Sequence, residues 1–263
     1  IKKVKFTVLG GRGVIGRALA SSLRGQGHEV EVLGRTDQWN FGVDWGHVIY
    51  AVGMTADFRT RRFETVDAHV TVLSKVLQQA RFVSLLYLSS TRVYMGASST
   101  VETAPLQVDP SIADDVYNLS KLLGEALCLS DPRSSVRVVR LSNVVGGEDA
   151  QSENFIPTLL REASGGAIRL RTALTSAKDY IHIDDVVPLL CQIPMGGAQR
   201  LYNVASGMLI THAQWVERIR AATGCSLEVA PDAPVLKFPV IDVGRIQAEF
   251  GFVPRSPLTA LRF

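Results

Sequence analysis

Apolar runs of strand length alternate with amphipathic stretches of helix length through the first half of the chain. The runs are suited to strands buried on both faces, whereas the stretches carry apolar residues at helical spacing. This alternation predicts a parallel sheet that helices cover on both sides, because parallel strands need a crossover between them. The predicted strands are residues 4–9, 29–33, 48–52, 84–89 and 136–141, and the predicted helices are residues 14–23, 66–77 and 117–127.

The second half of the chain has a looser pattern. After residue 147 the elements become shorter, Pro and Gly are more frequent, and residues 211–223 form the last clear helix candidate. We therefore expect an α/β fold, a doubly wound parallel sheet with a smaller C-terminal lobe. The predicted units are residues 1–147 and residues 148–263, and some strands or helices of the second can return to the first. Residues 34–47 are too few for the helix, strand and helix that such folds usually place there.

Composition narrows the class of protein. The chain has 263 residues, of which 46% are hydrophobic and 20% charged, as is typical of a globular protein and unlike a disordered one. The net charge is only +3, and Arg59, Arg61 and Arg62 fit a solvated helix start better than a nucleic-acid patch. No apolar run reaches the ~20 residues of a membrane span. Three dispersed cysteines, without histidines at metal-ligand spacing, indicate a reduced, cytoplasmic protein with no metal site.

A glycine-rich turn joins the first predicted strand to the first predicted helix. Gly10, Gly13 and Gly16 are spaced so that the first allows the turn and the second lets the backbone approach a pyrophosphate; the third lets the helix pack closely. Val14 and Ile15 begin the helix, whose free N–H groups and partial positive charge attract phosphate oxygens. The first unit is therefore predicted to bind a dinucleotide, and the second to form the substrate lobe.

The end of the second predicted strand bears on which dinucleotide binds. An acidic residue there would hold the 2′-hydroxyl of the adenosine ribose in NAD, but Arg35 follows the strand instead. An arginine can pair with the 2′-phosphate of NADP, so the sequence favours NADP as the cofactor. The alternative is NAD, with Asp37 or Asp44 binding the ribose hydroxyl.

Three side chains carry the predicted chemistry. Tyr117 and Lys121 are one helical turn apart, so both project from the same face of their helix. The phenol has a pKa near 10, and a neighbouring ammonium favours the phenolate that could accept a proton. Ser90, at the end of a strand, could donate a hydrogen bond to the same substrate oxygen, with Thr91 as its rival for that role. The alternative is that Ser90 only caps a loop. These groups predict the interconversion of an alcohol and a ketone.

With these motifs the chain resembles the extended short-chain dehydrogenases/reductases of the NAD-dependent epimerase/dehydratase family. Members have a Rossmann-type sheet and act mostly on nucleotide-activated sugars. The resemblance runs nearly end to end, and its motifs are specific for the family rather than for one reaction. They are GGRGVIG (10–16), LSSTRVY (88–94), YNLSK (117–121), RLSNVVG (140–146), DYIHIDD (179–185) and YNVASG (202–207).

The resemblance implies roles for individual residues. It makes Ser90, Tyr117 and Lys121 the catalytic residues, with Lys121 also on the nicotinamide ribose. Its other implied contacts are with the cofactor (Ala51 and Val52, where the family often has an alanine pair) and with the substrate (Thr91, Asn143 and Lys178). Asn143 would contact the diphosphate or sugar, and Lys178 stands where the family commonly has a diphosphate-binding arginine. His182, Asp184 and Asp185 match a stretch that secures the lobe and carries no metal.

The sequence favours one reaction among several. The resemblance together with Arg35 predicts a reductase of a 4-keto nucleotide sugar, because a dissociable NADPH suits net reduction. Alternatives are a nucleotide-sugar 4-epimerase that holds NAD tightly, a reductase of non-sugar ketones or aldehydes, and a protein that binds NADP without catalysis. A dehydratase is less favoured, since Thr91 and Arg92 stand where those enzymes have Asp-Glu. The resemblance also implies a homodimer, through the helices at residues 66–77 and 117–127.

Overall fold

The computed structural model describes residues 3–34, 37–54, 56–147 and 152–261. In chain order the strands are β1 Lys5–Leu9, β2 Glu29–Leu33, β3 His47–Tyr50, β4 Ser84–Ser90, β5 Val136–Leu141, β6 Asn143–Val145, β7 Ala167–Leu170, β8 Ala177–His182, β9 Leu201–Val204, β10 Leu209–Thr211 and β11 Ser226–Val229. The helices are α1 Val14–Gly25, α2 Arg62–Val66, α3 Val72–Gln79, α4 Asp115–Ser130, α5 Phe155–Ser164, α6 Ile183–Gly196, α7 His212–Thr223 and α8 Gly244–Phe250; a π-helical turn, Asp67–Thr71, joins α2 to α3. None of these described helices is long and apolar enough to cross a bilayer.

Six parallel strands form the main sheet in the order β2-β1-β3-β4-β5-β9. Their apolar runs are buried because helices cover both faces: α1 and α6 pack on one, and α3 and α4 on the other. The predicted α/β fold with a doubly wound parallel sheet is therefore confirmed. Two of the five predicted strands have the observed bounds, and the other three differ from them by one or two residues at their ends.

The order of the strands creates a crevice at one edge of the sheet. The chain leaves β1 for β2 on one side and then crosses to β3 on the other side. The connections after β1 and β3 consequently diverge at the carboxyl ends of these strands, which is where open α/β sheets bind their ligands. The glycine turn after β1 and Ala51-Val52 after β3 line this crevice, and the Ala51 N–H donates to Leu9 O at 2.9 Å.

An aromatic cluster replaces the missing helical unit between β2 and β3. Phe41 stacks on Trp45 with 5.2 Å between ring centroids, and Trp39 meets Trp45 edge-on at 6.0 Å. All three rings pack against the core on the α3 and α4 face of the sheet. Large aromatic rings bury much apolar surface per residue, so a short segment can cover this part of the sheet.

The helical stripe predicted from Val66, Val70, Leu73 and Leu77 is wrong in part. Leu73 is buried, but Val66 is 37% exposed. The reason is the π-helical turn, which adds a residue to one turn and rotates the buried face of the helix. Ahead of Leu73, the helix therefore buries Ala68 and His69 instead.

The chain returns to the main sheet after residue 147. Strand β9 pairs with the outer edge of β5, and α6 packs beside α1. The remaining elements form the lobe, in which α5 and α7 enclose Trp215 and Ile219 against the strands of two small sheets, β10-β8-β6 and β11-β7. Since β6 follows β5 directly along the chain and β8 precedes α6, the lobe joins the main sheet at its carboxyl edge.

Candidate active site

The glycine turn after β1 has the geometry of a phosphate cradle. Gly10 has φ +78°, and a Cβ there would lie 2.6 Å from Ala51 O; a Cβ on Gly16 would lie 2.6 Å from Gly10 O. Gly13 differs, because its added Cβ would meet only an ordinary contact of 3.5 Å. Protein packing does not require a glycine at position 13, so the bare backbone there leaves room for a ligand. Gly13 also provides no side-chain cap to α1, whose first N–H groups therefore suit phosphate oxygens.

The adenosine end of this crevice contains a carboxylate. Asp37 accepts hydrogen bonds from Gly34 N and from Arg12 Nη2, both at 2.6 Å, directly beyond the end of β2. Arg35, the residue on which the NADP prediction rests, lies outside the described residues. Asp44 accepts from Gly46 N just before β3 begins, so it lies at the opposite edge of the sheet. Of the two acidic candidates for a ribose hydroxyl, only Asp37 has the required position.

Ser90 and Tyr117 meet at the carboxyl edge of the sheet. Strand β4 ends at Ser90, and the first turn of α4 presents Tyr117. The Ser90 hydroxyl lies close enough to the phenol of Tyr117 to lower its pKa. Burial raises the pKa of Tyr117, while the Ser90 hydroxyl and the nearby Arg92 charge lower it. The two side chains thus lie side by side at the carboxyl edge of the sheet.

Lys121 lies one turn further along α4 and is buried. Its Nζ donates to Leu88 O at 2.9 Å and is 5.9 Å from the centre of the Tyr117 ring. Burial lowers the pKa of Lys121 to about 7, against the opposing effect of Glu125. In the protein without a cofactor, the charges that lower the pKa of Tyr117 belong to Arg92 rather than to Lys121, which differs from the expectation based on the sequence.

His69 is a neighbour of this pair that the sequence did not indicate. Its Nε2 faces Met54 N at 3.5 Å, which leaves Nδ1–H to donate to Ser120 Oγ at 2.8 Å. Burial and the Lys121 charge lower the pKa of His69 to about 2, so the imidazole is neutral. It meets the Tyr117 ring edge-on at 5.3 Å. The π-helical turn orients it, and such a turn cannot be read from apolar spacing alone.

A second unpredicted group covers the other side of Tyr117. The Phe58 ring lies 4.8 Å from the Tyr117 ring, between centroids. The guanidinium groups of Arg59 and Arg92 lie over the same Phe58 ring, at 4.5 and 5.4 Å. Asp114 pairs with both arginines, at 2.9 and 3.6 Å respectively. The Tyr117 phenol therefore lies beside an aromatic ring flanked by two arginines.

A buried ion pair supports α4 beneath the site. Arg140 Nη2 donates to Glu125 Oε2 at 2.7 Å, and both side chains are at most 5% exposed. Ser89 Oγ donates to Glu125 Oε1 at 2.5 Å, which ties α4 to the end of β4. Arg140 also donates to the Tyr94 hydroxyl, so every group of this network has a partner.

The predicted substrate-binding residues lie at different depths. Asn143 is exposed, and its Nδ2 donates to Asp179 O at 2.8 Å. Lys178 places its Nζ 5.0 Å from the Phe238 ring, and its pKa falls to about 8 through burial and the charges of Arg92 and Arg59. Thr91 is 8% exposed, at the start of a 3-10 turn. Lys178 is thus close enough to Arg92 and Arg59 for their charges to lower its pKa.

The acidic residues of the HIDD stretch bind an arginine. Arg255 Nε donates to Asp185 Oδ1 at 2.6 Å, and Arg255 Nη1 donates to Asp184 Oδ2 at 3.2 Å. His182 Nδ1 accepts from Asp184 N at 3.1 Å, which caps α6. These contacts attach the segment around Arg255 to the start of α6.

Comparison with known proteins identifies the family and the fold. The model of the NAD dependent epimerase/dehydratase family matches residues 6–205. No curated protein matches the chain. The solved structure of MoeE5 in complex with UDP-glucose and NAD is 21% identical, with a TM-score of 0.81 over 97% of this chain and 96% of that one.

Two further solved structures share the architecture. TunA, an NAD dependent NDP-hexosamine 5,6-dehydratase involved in tunicamycin biosynthesis, is 19% identical, with a TM-score of 0.79 over 96% of this chain and 93% of that one. RMD from Pseudomonas aeruginosa, complexed with NADPH, is 18% identical, with a TM-score of 0.75 over 98% and 97%. At these identities the likeness concerns the fold.

Proposed function

We propose, starting from the fact that the chain belongs to the NAD dependent epimerase/dehydratase family, that it transfers hydride at a ring carbon of a nucleotide-activated sugar. One observation carries the proposal. The Ser90 hydroxyl lies close enough to the Tyr117 phenol to lower its pKa, and Lys121 is one turn away on α4. All three lie at the sheet edge where the glycine turn can hold a dinucleotide.

The chain's own residues account for the proton in such a reaction. A nicotinamide cofactor, when bound, supplies the carbon that accepts or donates the hydride, and its oxidised ring brings a positive charge that favours a phenolate. Tyr117 then takes the proton of the sugar hydroxyl, or returns one to the ketone oxygen. Ser90 donates a hydrogen bond to the same oxygen and orients it. Lys121 binds the nicotinamide ribose and keeps positive charge near Tyr117.

Two reactions are candidates for this site. The sequence predicts a 4-keto sugar reductase using NADP, because of Arg35. The described residues favour the second candidate, a 4-epimerase that holds NAD, since Asp37 is placed to accept a ribose 2′-hydroxyl and would repel a 2′-phosphate. Arg12, which pairs with Asp37, could still contact a phosphate. The identity of the bound cofactor, NADP or NAD, therefore distinguishes the reductase from the epimerase.

An experiment with purified protein distinguishes these reactions. The nucleotide released on denaturation is identified by mass spectrometry, and both oxidised and reduced cofactors are titrated calorimetrically. The protein is then incubated with nucleotide sugars and their 4-keto derivatives. Bound NAD and epimerisation without net cofactor change identify an epimerase, whereas consumption of NADPH identifies a reductase. Absence of turnover with every nucleotide sugar contradicts the proposed function.

The substrate and the assembly are also proposals. MoeE5 binds UDP-glucose, and in this chain Lys178 has the charge and position to hold a diphosphate. We expect a homodimer through α2 and α4, where Phe63 is 90% exposed and Leu123 is 50% exposed. The three cysteines are free and buried, in accord with a reducing, cytoplasmic location.

A further inference from the structure

Arg92 is fixed to the turn that presents Ser90. A 3-10 turn, Thr91–Tyr94, directly follows β4, and Arg92 N donates to Ser90 Oγ at 3.2 Å. The guanidinium then lies over the ring of Phe58, which itself packs against Tyr117. A ligand group bound to the Arg92 guanidinium would therefore lie close to the hydroxyls of Ser90 and Tyr117.

Positive charge exceeds negative charge around this position. The charges of Arg59 and Arg92 both act on Lys178, and the charge of Arg59 acts on Arg92. Asp114 is shared between the two arginines, and the carboxylate of Asp115 accepts hydrogen bonds from Asn118 Nδ2 and from the backbone N–H of residue 109. Lys178 has neither a hydrogen bond nor an ion pair through its ammonium within the described residues. The cluster is suited to an anionic ligand.

Arg92 also has an unused donor. Its Nε is buried and has no hydrogen-bond acceptor among the described residues, and the side chain as a whole is 19% exposed. A buried charged donor without an acceptor is destabilising. The Asp114 carboxylate is 3.6 Å from Nη2, which is beyond ordinary hydrogen-bond distance. The exposed part of the guanidinium can therefore still pair with an oxyanion.

We propose that Arg92, assisted by Arg59, binds a carboxylate on the sugar, so that the substrate is a nucleotide-activated uronic acid. This inference rests on the proposed function. In a hexose the C6 substituent is carried by C5, beside the C4 position where hydride would be transferred. The diphosphate is attached at the anomeric carbon on the far side of the ring. We therefore assign the carboxylate to Arg92, whose backbone N–H is bonded to Ser90, and the diphosphate to Lys178.

The chemistry of arginine supports a carboxylate as the recognised group. A guanidinium binds the two oxygens of a carboxylate through parallel N–H donors, a geometry that a lysine ammonium cannot provide. A neutral hydroxymethyl group at C6 would leave Arg92 without an anion. The wild-type enzyme should therefore discriminate against neutral sugars, because a site built for a charged partner rejects an analogue that lacks it.

The test compares a uronic acid with the matching neutral sugar. Initial rates are measured for uridine and thymidine diphosphate glucuronic acid and for the corresponding glucose derivatives. For Arg92→Gln we expect kcat/KM with the uronic acid to fall on the order of 100-fold. The neutral sugar should change by no more than about 5-fold, and Arg92→Lys should recover part of the loss. Arg169→Gln, which alters an exposed arginine in the lobe, is the matched control.

The outcomes separate this inference from the function on which it rests. If wild-type enzyme turns over the neutral sugar and rejects the uronic acid, the carboxylate assignment is wrong while the hydride-transfer function stands. Equal losses for both sugars in Arg92→Gln, with folding intact by circular dichroism, give Arg92 only the structural role of pairing with Asp114. If Arg92→Gln does not fold, Arg59→Gln replaces it, and the same selective loss is required. No turnover of any of the four compounds overturns the carboxylate assignment, and the hydride-transfer function is overturned as well only if the 4-keto derivatives are not turned over either.

Discussion

At the scale of single residues, the proposed chemistry depends on the Tyr117 hydroxyl. We expect Tyr117→Phe to lower kcat by at least about 100-fold, because it removes the group that transfers the proton. Stability should change little, since the phenyl ring still packs between Phe58 and His69. Initial-rate measurements and a thermal melt check both statements.

A second tyrosine provides the control for this variant. The Tyr180 hydroxyl is buried and has no hydrogen-bond partner in the part of the chain that the structure describes. Tyr180→Phe should therefore leave kcat unchanged and leave the melting temperature equal or higher. If both variants lose activity to the same extent, Tyr117 has no special role in proton transfer.

Lys121 should destabilise the protein in the absence of a cofactor. Its pKa is lowered to about 7, so a charge is forced into a buried site at pH 6, and this penalty shrinks as the pH rises from 7 towards the unfolded value of 10.5. Lys121→Met should raise the free energy of unfolding on the order of 3 kcal/mol at pH 6, and by less at pH 9. Activity should be lost at both.

Urea titrations of both proteins at the two pH values measure this difference. Lys237→Met, at an exposed position, serves as the control and should show no such pH dependence. A Lys121→Met variant that is less stable than wild type at pH 6 would mean that the hydrogen bond to Leu88 O outweighs the cost of the buried charge.

At the scale of elements, the buried pair under α4 should dominate local stability. Arg140→Met leaves the Glu125 carboxylate buried without its cation, and we expect a loss of about 3–5 kcal/mol in the free energy of unfolding. Arg169→Met breaks an exposed pair with Glu228 and should cost no more than about 1 kcal/mol. Chemical denaturation measures both; equal losses would show that burial of the pair is unimportant.

The elements that could be predicted are those set by local pattern. Apolar runs gave the strands and the glycine turn gave the start of α1, because these features depend on neighbouring residues. The position of His69 could not be predicted, since a π-helical turn leaves no mark in the spacing of apolar residues. The ring of Phe58 beside Tyr117 depends on how separate segments meet, which a single sequence does not encode in its spacing.

Among the site residues, those within sequence motifs could be predicted, whereas those that meet only through the fold could not. Ser90 and Tyr117 lie close together, and Lys121 follows on the same helix, but their catalytic roles stay predictions. The positive charge that Arg92 and Arg59 bring to the site was not predicted. Only the fold brings the end of β4 and the segment after β3 to the ring of Phe58. The prediction from Arg35 stays a prediction.

At the scale of the whole molecule, an exposed apolar face predicts self-association. Phe63 and Val66 on α2 and Leu123 on α4 are exposed on helices that pack side by side. An exposed apolar patch of this kind is typical of a protein interface, so we expect a dimer at micromolar concentration. Leu123→Glu should yield a monomer in light scattering while the circular dichroism spectrum is retained.

A control variant and two contrary outcomes complete the light-scattering test of the dimer. Val229→Glu changes an exposed valine on the lobe and should leave the mass of the particle unchanged. A wild-type protein that is monomeric at this concentration contradicts the interface on α2 and α4. Dimers that persist in the Leu123→Glu variant would place the contact on another surface.

The late arrival of β9 has a consequence during biosynthesis. As the chain leaves the ribosome, β5 can pair with β4 at once, but its other side has no neighbour until residues 201–204 have been translated. Until then the nascent protein presents an open row of amide and carbonyl groups, the kind of edge that captures foreign strands. Chaperones that bind newly made polypeptides would be needed most in that interval.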